Sequence, residues 1–111
     1  MTVTREEHSG ATVLRIRGDV DLATEERLVE TVRAVMAEES PRRILLDLSD
    51  VGFMSSSGIG YLLVLTAEAR AQGSRLGVVS GGNAYVTRPT EAMRLGRALQ
   101  LYRSVEDALA A

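Results

Sequence analysis

Three serines in succession, Ser55, Ser56 and Ser57, stand between the apolar pair Phe53-Met54 and the run Gly58-Ile59-Gly60. Hydroxyls at such a junction suit four kinds of chemistry: a helix cap, a nucleophile, a phosphate cradle or a phosphate acceptor. A nucleophilic serine needs a general base beside it. "SSSG" is not Gly-x-Ser-x-Gly, and the single histidine, His8, lies near the N-terminus, where it is expected on the exposed end of a first strand. A P-loop cradle wants several spaced glycines and a lysine, and this chain has no lysine. Capping occupies one hydroxyl, which accepts from one N–H at the helix start, and leaves two without a task. A phosphate acceptor stays open beside it. A dianion on the first turn faces unpaired N–H groups and the positive end of the helix dipole. Such a charge alters binding at the surface and leaves the fold in place.

Composition removes other chemistries. The absence of cysteine excludes disulfides, thiol redox chemistry and a cysteine zinc site. One histidine cannot build a multi-histidine metal site, and no metal or cofactor is expected. The lack of lysine also excludes a Schiff base. A net charge of −2 argues against general nucleic-acid binding. No apolar run approaches the roughly 18 residues that span a bilayer, and "MTVTREEHSG" lacks a signal-peptide layout. A cytoplasmic protein without membrane contact is expected, and its 111 residues read as one domain, 1–111.

The junction must be held by the elements on either side of it. "Ile44-Leu45-Leu46-Asp47-Leu48" reads as a strand buried on both faces. Ile59, Leu62, Leu63, Leu65 and Ala69 give the following segment a helical face that stops near Gln72-Gly73. Upstream, Ser9-Gly10 joins two strands in a hairpin, and Gly18-Asp19 ends the second. Leu22, Leu28, Val29, Val32, Val35 and Met36 then recur at helical spacing, with Thr24 and the acids Glu25 and Glu26 as the helix start and Pro41 as its close. Downstream come a strand at Arg75–Val79 and a helix capped by Asn83, whose apolar face is expected to continue through Pro89 to Met93, Leu95, Ala98 and Leu99. A short strand at Leu99–Tyr102 and a terminal helix opened by Ser104 complete the order β-β-α-β-α-β-α-β-α. The fold class is α/β: a small mixed sheet of four to five strands with helices mainly on one side.

"LLDLSDVGFMSSSGIGYLL" resembles the signature of STAS domains, in particular the bacterial anti-sigma factor antagonists. That pattern is an apolar strand ending Asp-Leu-Ser, then x-x-x-Phe-Met-Asp-Ser-Ser-Gly-Leu-Gly and an apolar helix. "LRIRGDVDLAT" is similar to the family's Leu-x-Gly-x-Leu-Asp segment, and "RLGVVSGGNAYVTRPTEAMRLGRALQLYRSVEDALA" to its closing elements. The resemblance implies that Ser56 accepts phosphate, with Ser57 as second candidate, from an anti-sigma factor that is a serine kinase. It further implies that phosphorylation releases the partner, that a phosphatase resets the cycle, and that the unmodified form frees a sigma factor. Asp47 and Ser49 match the strand-end Asp and Ser. Asp19, Asp21, Met54, Ser55, Ser56, Ser57 and Gly58 are the expected partner surface, with Met54 as an exposed apolar contact. Ser55 stands where the family pattern has an acid; it can cap the helix but brings no charge. A non-phosphorylated STAS adaptor of a stress-signalling or transport complex is the alternative, and a nucleotide sensor a further one. A monomer is expected, although the hairpin's free edge offers a pairing surface.

Overall fold

The computed structural model describes residues 1–38 and 43–111. Strands β1 (Thr2–His8) and β2 (Ala11–Val20) form the hairpin through Ser9 and Gly10, both at positive φ. They are followed by α1 (Glu25–Met36), β3 (Arg43–Met54), α2 (Ser56–Ala71), β4 (Arg75–Val79), α3 (Ala84–Ala92), β5 (Leu101–Tyr102) and α4 (Val105–Ala110). The strands lie in sequence order in one sheet; β1 is antiparallel to β2, and every later pairing is parallel. The proline expected to close the first helix, Pro41, lies outside the described residues.

That order explains the one-sided layering. Right-handed crossovers that step across a sheet in one direction deliver their helices to one face. Accordingly α1, α2 and α3 share a core with Ile44, Leu46 and Leu48 of β3, through Leu28, Val32, Leu62, Leu65 and Val86. The alternate residues of the strands face the other way, where Val13, Leu45 and Val79 pack on Ala108 of α4. Both faces of β3 are therefore covered, and its sequence reads as an unbroken apolar run. Full burial of each such Leu or Val contributes about 1.5–3 kcal/mol.

β3 runs past the expected end at Leu48 to Met54, and β2 past Gly18-Asp19 to Val20. The extension is accommodated by two register shifts between them, at Arg15/Arg17 and Gly18/Asp19. Each leaves an additional residue on β3. The buried positions after Leu48 therefore come at intervals of three, Val51 and then Met54, and Phe53 is turned outward.

Two helix boundaries differ from expectation. Leu22 precedes α1 and is 82% exposed, because residues 21–24 form a tight turn. The Ala23 N–H donates to Asp21 Oδ1, and Thr24 Oγ1 donates to the Asp19 carbonyl at 2.7 Å. Helix α3 stops at Ala92, so Met93 is exposed instead of continuing the apolar face, and Leu99 returns to the core from a separate turn. The stop is a Schellman arrangement in which Leu95 N–H donates to the Thr90 carbonyl (2.8 Å) and Arg94 N–H to that of Glu91 (3.1 Å). Helix α2 ends the same way around Gly73 at φ 78°. In α3 the left-handed residue is Arg94, at φ 55°.

Two stability tests follow from these features. Arg94→Gly relieves the left-handed strain, and we expect a gain of about 0.5–1 kcal/mol in chemical denaturation; a loss would contradict the strain. Between α1 and α2, the Arg33 guanidinium donates two hydrogen bonds to Glu68, at 3.0 and 2.6 Å, and so holds that carboxyl below its ordinary value of 4.5. A depressed folded-state pKa gives stability that is present above the unfolded value and lost as the pH falls through the folded one. Melting temperature should therefore drop as the pH falls below about 4.5, and less steeply in Glu68→Gln. Identical acid limbs would remove this ion pair from the account of acid stability.

Candidate functional site

Parallel pairing brings the ends of β2 and β3 together, Val20 opposite Met54, and the Ser55 N–H donates to the Val20 carbonyl at 2.8 Å. Helices α1 and α2 thus begin side by side at one edge of the sheet. Ser55 is the N-cap of α2, with extended backbone (φ −67°, ψ 156°), and its Oγ accepts from the Gly58 N–H at 3.0 Å. Gly58 is buried, and a methyl there would crowd Met54 Sδ, Ser55 Oγ and Val20 Cγ1. The motif glycine is therefore a packing requirement of the junction.

A carboxylate from the neighbouring helix joins the trio. Glu25, in the first turn of α1 and only 8% exposed, accepts from Ser55 Oγ at 2.9 Å and from Ser57 Oγ at 2.7 Å, both on Oε2. Ser56 lies between them in sequence. It is exposed, and its hydroxyl has no hydrogen-bond partner among the described residues. The negative charge that Ser55 does not carry is thus present within hydrogen-bond distance of it, supplied by α1.

The surroundings are apolar and acidic. A groove of about 650 Å³ is lined by Asp21, Leu22, Phe53 and the three serines, together with Ala23. Phe53 is 43% exposed and packs edge-on against Tyr85 of α3, ring centres 5.8 Å apart. Met54, expected as an exposed contact, is instead buried at 6%, because the second register shift turns it toward the helices and Phe53 toward solvent. Asp19 is exposed opposite Phe53 on the adjacent strand end, and Asp21 is half-buried in the turn that presents Leu22.

Asp47 and Ser49 belong to another part of the molecule. Asp47 lies two residues beyond Leu45, on the α4 side; it accepts from the Ser49 N–H at 3.0 Å, from the Ser49 hydroxyl and from Arg15 at 2.6 Å. A methyl at Gly81, which sits at φ 60°, would run into Ser49. Asn83 caps α3 through Tyr85 N–H and donates to the Leu48 and Val51 carbonyls at 3.0 and 2.7 Å, locking α3 to β3. His8 pairs with Ala11, which pairs with Arg43, so it lies at the other end of the sheet from the serines.

Sequence comparison assigns residues 2–108 to the STAS domain. The chain belongs to the STAS domain family. The anti-sigma-F factor antagonist RsfB of Mycobacterium tuberculosis is 37% identical to this STAS domain over 109 residues, covering 98% of the chain and 87% of RsfB. A crystal structure of an anti-sigma factor antagonist from Mycobacterium paratuberculosis superposes with a TM-score of 0.86 at 30% identity, covering 98% of this chain and 91% of that one. The unphosphorylated form of the anti-sigma factor antagonist SpoIIAA shares the fold at 20% identity, with a TM-score of 0.76 and coverage of 97% and 93%. Among the described residues of this STAS domain, no helix is long and apolar enough to cross a membrane.

Sequence reasoning passed over Glu25, Leu22, Phe53 and Tyr85 as parts of this STAS surface. Glu25 was legible only as an acid favoured by the dipole of its own helix. Its partners lie about thirty residues away and meet it only through the pairing of β2 with β3. Ser55→Ala removes the cap and one of the two donors to a buried carboxylate. We expect a loss of about 1–2 kcal/mol in denaturant titration, with Ser55→Asn keeping part of it. A neutral Ser55→Ala would mean that the cap and the Glu25 contact contribute nothing.

Proposed function

We propose that this STAS domain is an anti-sigma factor antagonist that binds a serine-kinase anti-sigma factor in its unmodified form and is released when Ser56 is phosphorylated. The observation that carries the reading is the division of the three hydroxyls: two are committed to Glu25, and Ser56 stands exposed and unpartnered at the first turn of α2. Likeness to the mycobacterial antagonists over nearly the whole chain supports the choice of partner class.

Phosphate at Ser56 is compatible with the fold. The start of α2 offers unpaired N–H groups and a dipole that favour a negative charge by about 0.3–1 kcal/mol at an exposed site. The same dianion is unfavourable to binding, because it sits in a surface built from Leu22 and Phe53 and already bordered by Asp19 and Asp21. A partner that covers this surface must strip water from a doubly charged group, and among the described residues no cation lines the groove to meet it. Exposed Leu22 and Phe53 supply the apolar anchors of that contact.

The chain acts by binding and not by catalysis, in the cytoplasm, with a phosphatase restoring the unmodified form. It works as a monomer. Of the sheet's two edge strands, β5 is only two residues long, and β1 carries Arg5, Glu6 and Glu7, which discourage strand-to-strand pairing.

The test is incubation with candidate ATP-dependent anti-sigma kinases, followed by mass-spectrometric mapping of phosphate and calorimetric titration of binding. We expect phosphate on Ser56, binding retained by Ser56→Ala and abolished by Ser56→Asp. Leu22→Ser and Phe53→Ser should each weaken binding by about tenfold or more, the first without lowering the melting temperature and the second with the small loss that removing the Tyr85 contact brings. Binding that persists in Ser56→Asp, with no phosphate on any serine, would overturn the switch and favour a STAS adaptor.

A further inference from the structure

Resting on the phosphate-acceptor reading of the junction, we infer that Glu25 determines which of the three adjacent serines is phosphorylated. By residue type the three are alike, and the choice among them has to come from their surroundings. A serine hydroxyl has one proton to donate. Ser55 and Ser57 both direct theirs to the same oxygen of Glu25, at 2.9 and 2.7 Å, and Ser55 Oγ also accepts from the Gly58 N–H at 3.0 Å. Ser56 has neither tie; Ser57 is exposed as Ser56 is, so the contact with Glu25, and not access, separates these two.

The transfer makes this difference chemical. The acceptor Oγ bonds to the γ-phosphorus of ATP held by the kinase, the bond from that phosphorus to the β–γ bridging oxygen breaks, ADP leaves, and the hydroxyl proton passes to a base on the kinase. For Ser55 or Ser57, the hydroxyl must first leave a carboxylate that is more than nine-tenths buried. That carboxylate would then face the phosphate dianion across what had been a hydrogen bond. Two like charges in a poorly solvated place repel strongly. Ser56 takes no part in this contact and, being exposed, holds the dianion in solvent. Glu25 is a specificity-determining residue of the substrate, contributed by a helix that begins about thirty residues before the serines.

The test compares the chain with Glu25→Gln and Glu25→Ala, and repeats Glu25→Gln in a Ser56→Ala background, using one purified ATP-dependent anti-sigma kinase and site-resolved mass spectrometry. Melting curves check that each variant is folded. In the unchanged chain, phosphate is expected on Ser56 with only a trace on Ser57. Glu25→Ala should raise the share on Ser57 by about tenfold or more, and Glu25→Gln, which keeps an acceptor oxygen but no charge, should raise it by less. Ser56→Ala alone should take no more than that trace, and Ser56→Ala with Glu25→Gln should take phosphate on Ser57. A purely structural role for Glu25 would lower the melting temperature without moving the site distribution. Phosphate confined to Ser56 in every folded Glu25 variant would overturn the inference and leave the switch standing; an unchanged chain that takes no phosphate from any such kinase would overturn both.

Discussion

Parallel pairing of β2 with β3 continues from Ala11 opposite Arg43 to Val20 opposite Met54, and it obliges both chains to turn into helices at the same edge of the sheet. The Ser55 N–H closes that edge on the Val20 carbonyl. Once the two helix starts are neighbours, two sets of unpaired N–H groups and two positive dipole ends share one small region. Glu25 and the Ser55 hydroxyl answer that demand together: the hydroxyl caps α2, and the carboxylate gathers the serine protons from across the gap. The exposed apolar residues follow from the same constraint, since the turn from β2 to α1 presents Leu22 and the last register shift of β3 presents Phe53.

Much of the scaffold was legible because it depends on local signals. Turn chemistry at Ser9-Gly10, the apolar run of β3, the caps at Ser55, Asn83 and Ser104 and the stop near Gly73 all act within a few residues of themselves. What escaped depends on partners distant in sequence or on a residue in an unusual role. Arg94 occupies a left-handed position where glycine is the customary sign, so the end of α3 gave no warning. Leu22 fits the helical spacing of α1, yet Asp21 and Thr24 tie its backbone into a turn. Met54, expected as an exposed contact, is buried, and Phe53 is exposed in its stead, because bulges change the phase of a strand and leave no compositional mark.

The serine trio shows the same limit at finer scale. Its position before a helix, its capping residue and its family resemblance are all present in the nineteen residues from Leu45 to Leu63. The carboxylate expected immediately before the acceptor is absent there and comes from Glu25, so Ser55 is less of a departure in space than in sequence. Of the expected partner surface, Asp21, Ser55, Ser56 and Ser57 line one groove, Asp19 stands on the same edge, and Gly58 and Met54 lie beneath it. Asp47 and Ser49 serve the opposite face of the sheet, where they fasten Arg15 and the turn at Gly81.

The switch proposed for Ser56 changes charge and leaves architecture alone: the dianion would be tolerated by the start of α2 and rejected by a partner covering Leu22 and Phe53. Native-state hydrogen exchange on the Ser56-phosphorylated and unmodified chains, measured beside partner affinity, tests that claim most directly. Equal protection in β2, β3 and the body of α2, together with loss of partner affinity in the phosphorylated chain, is the expected result. Protection lost throughout those elements on phosphorylation would contradict it, because release would then come from unfolding and not from charge at an intact surface.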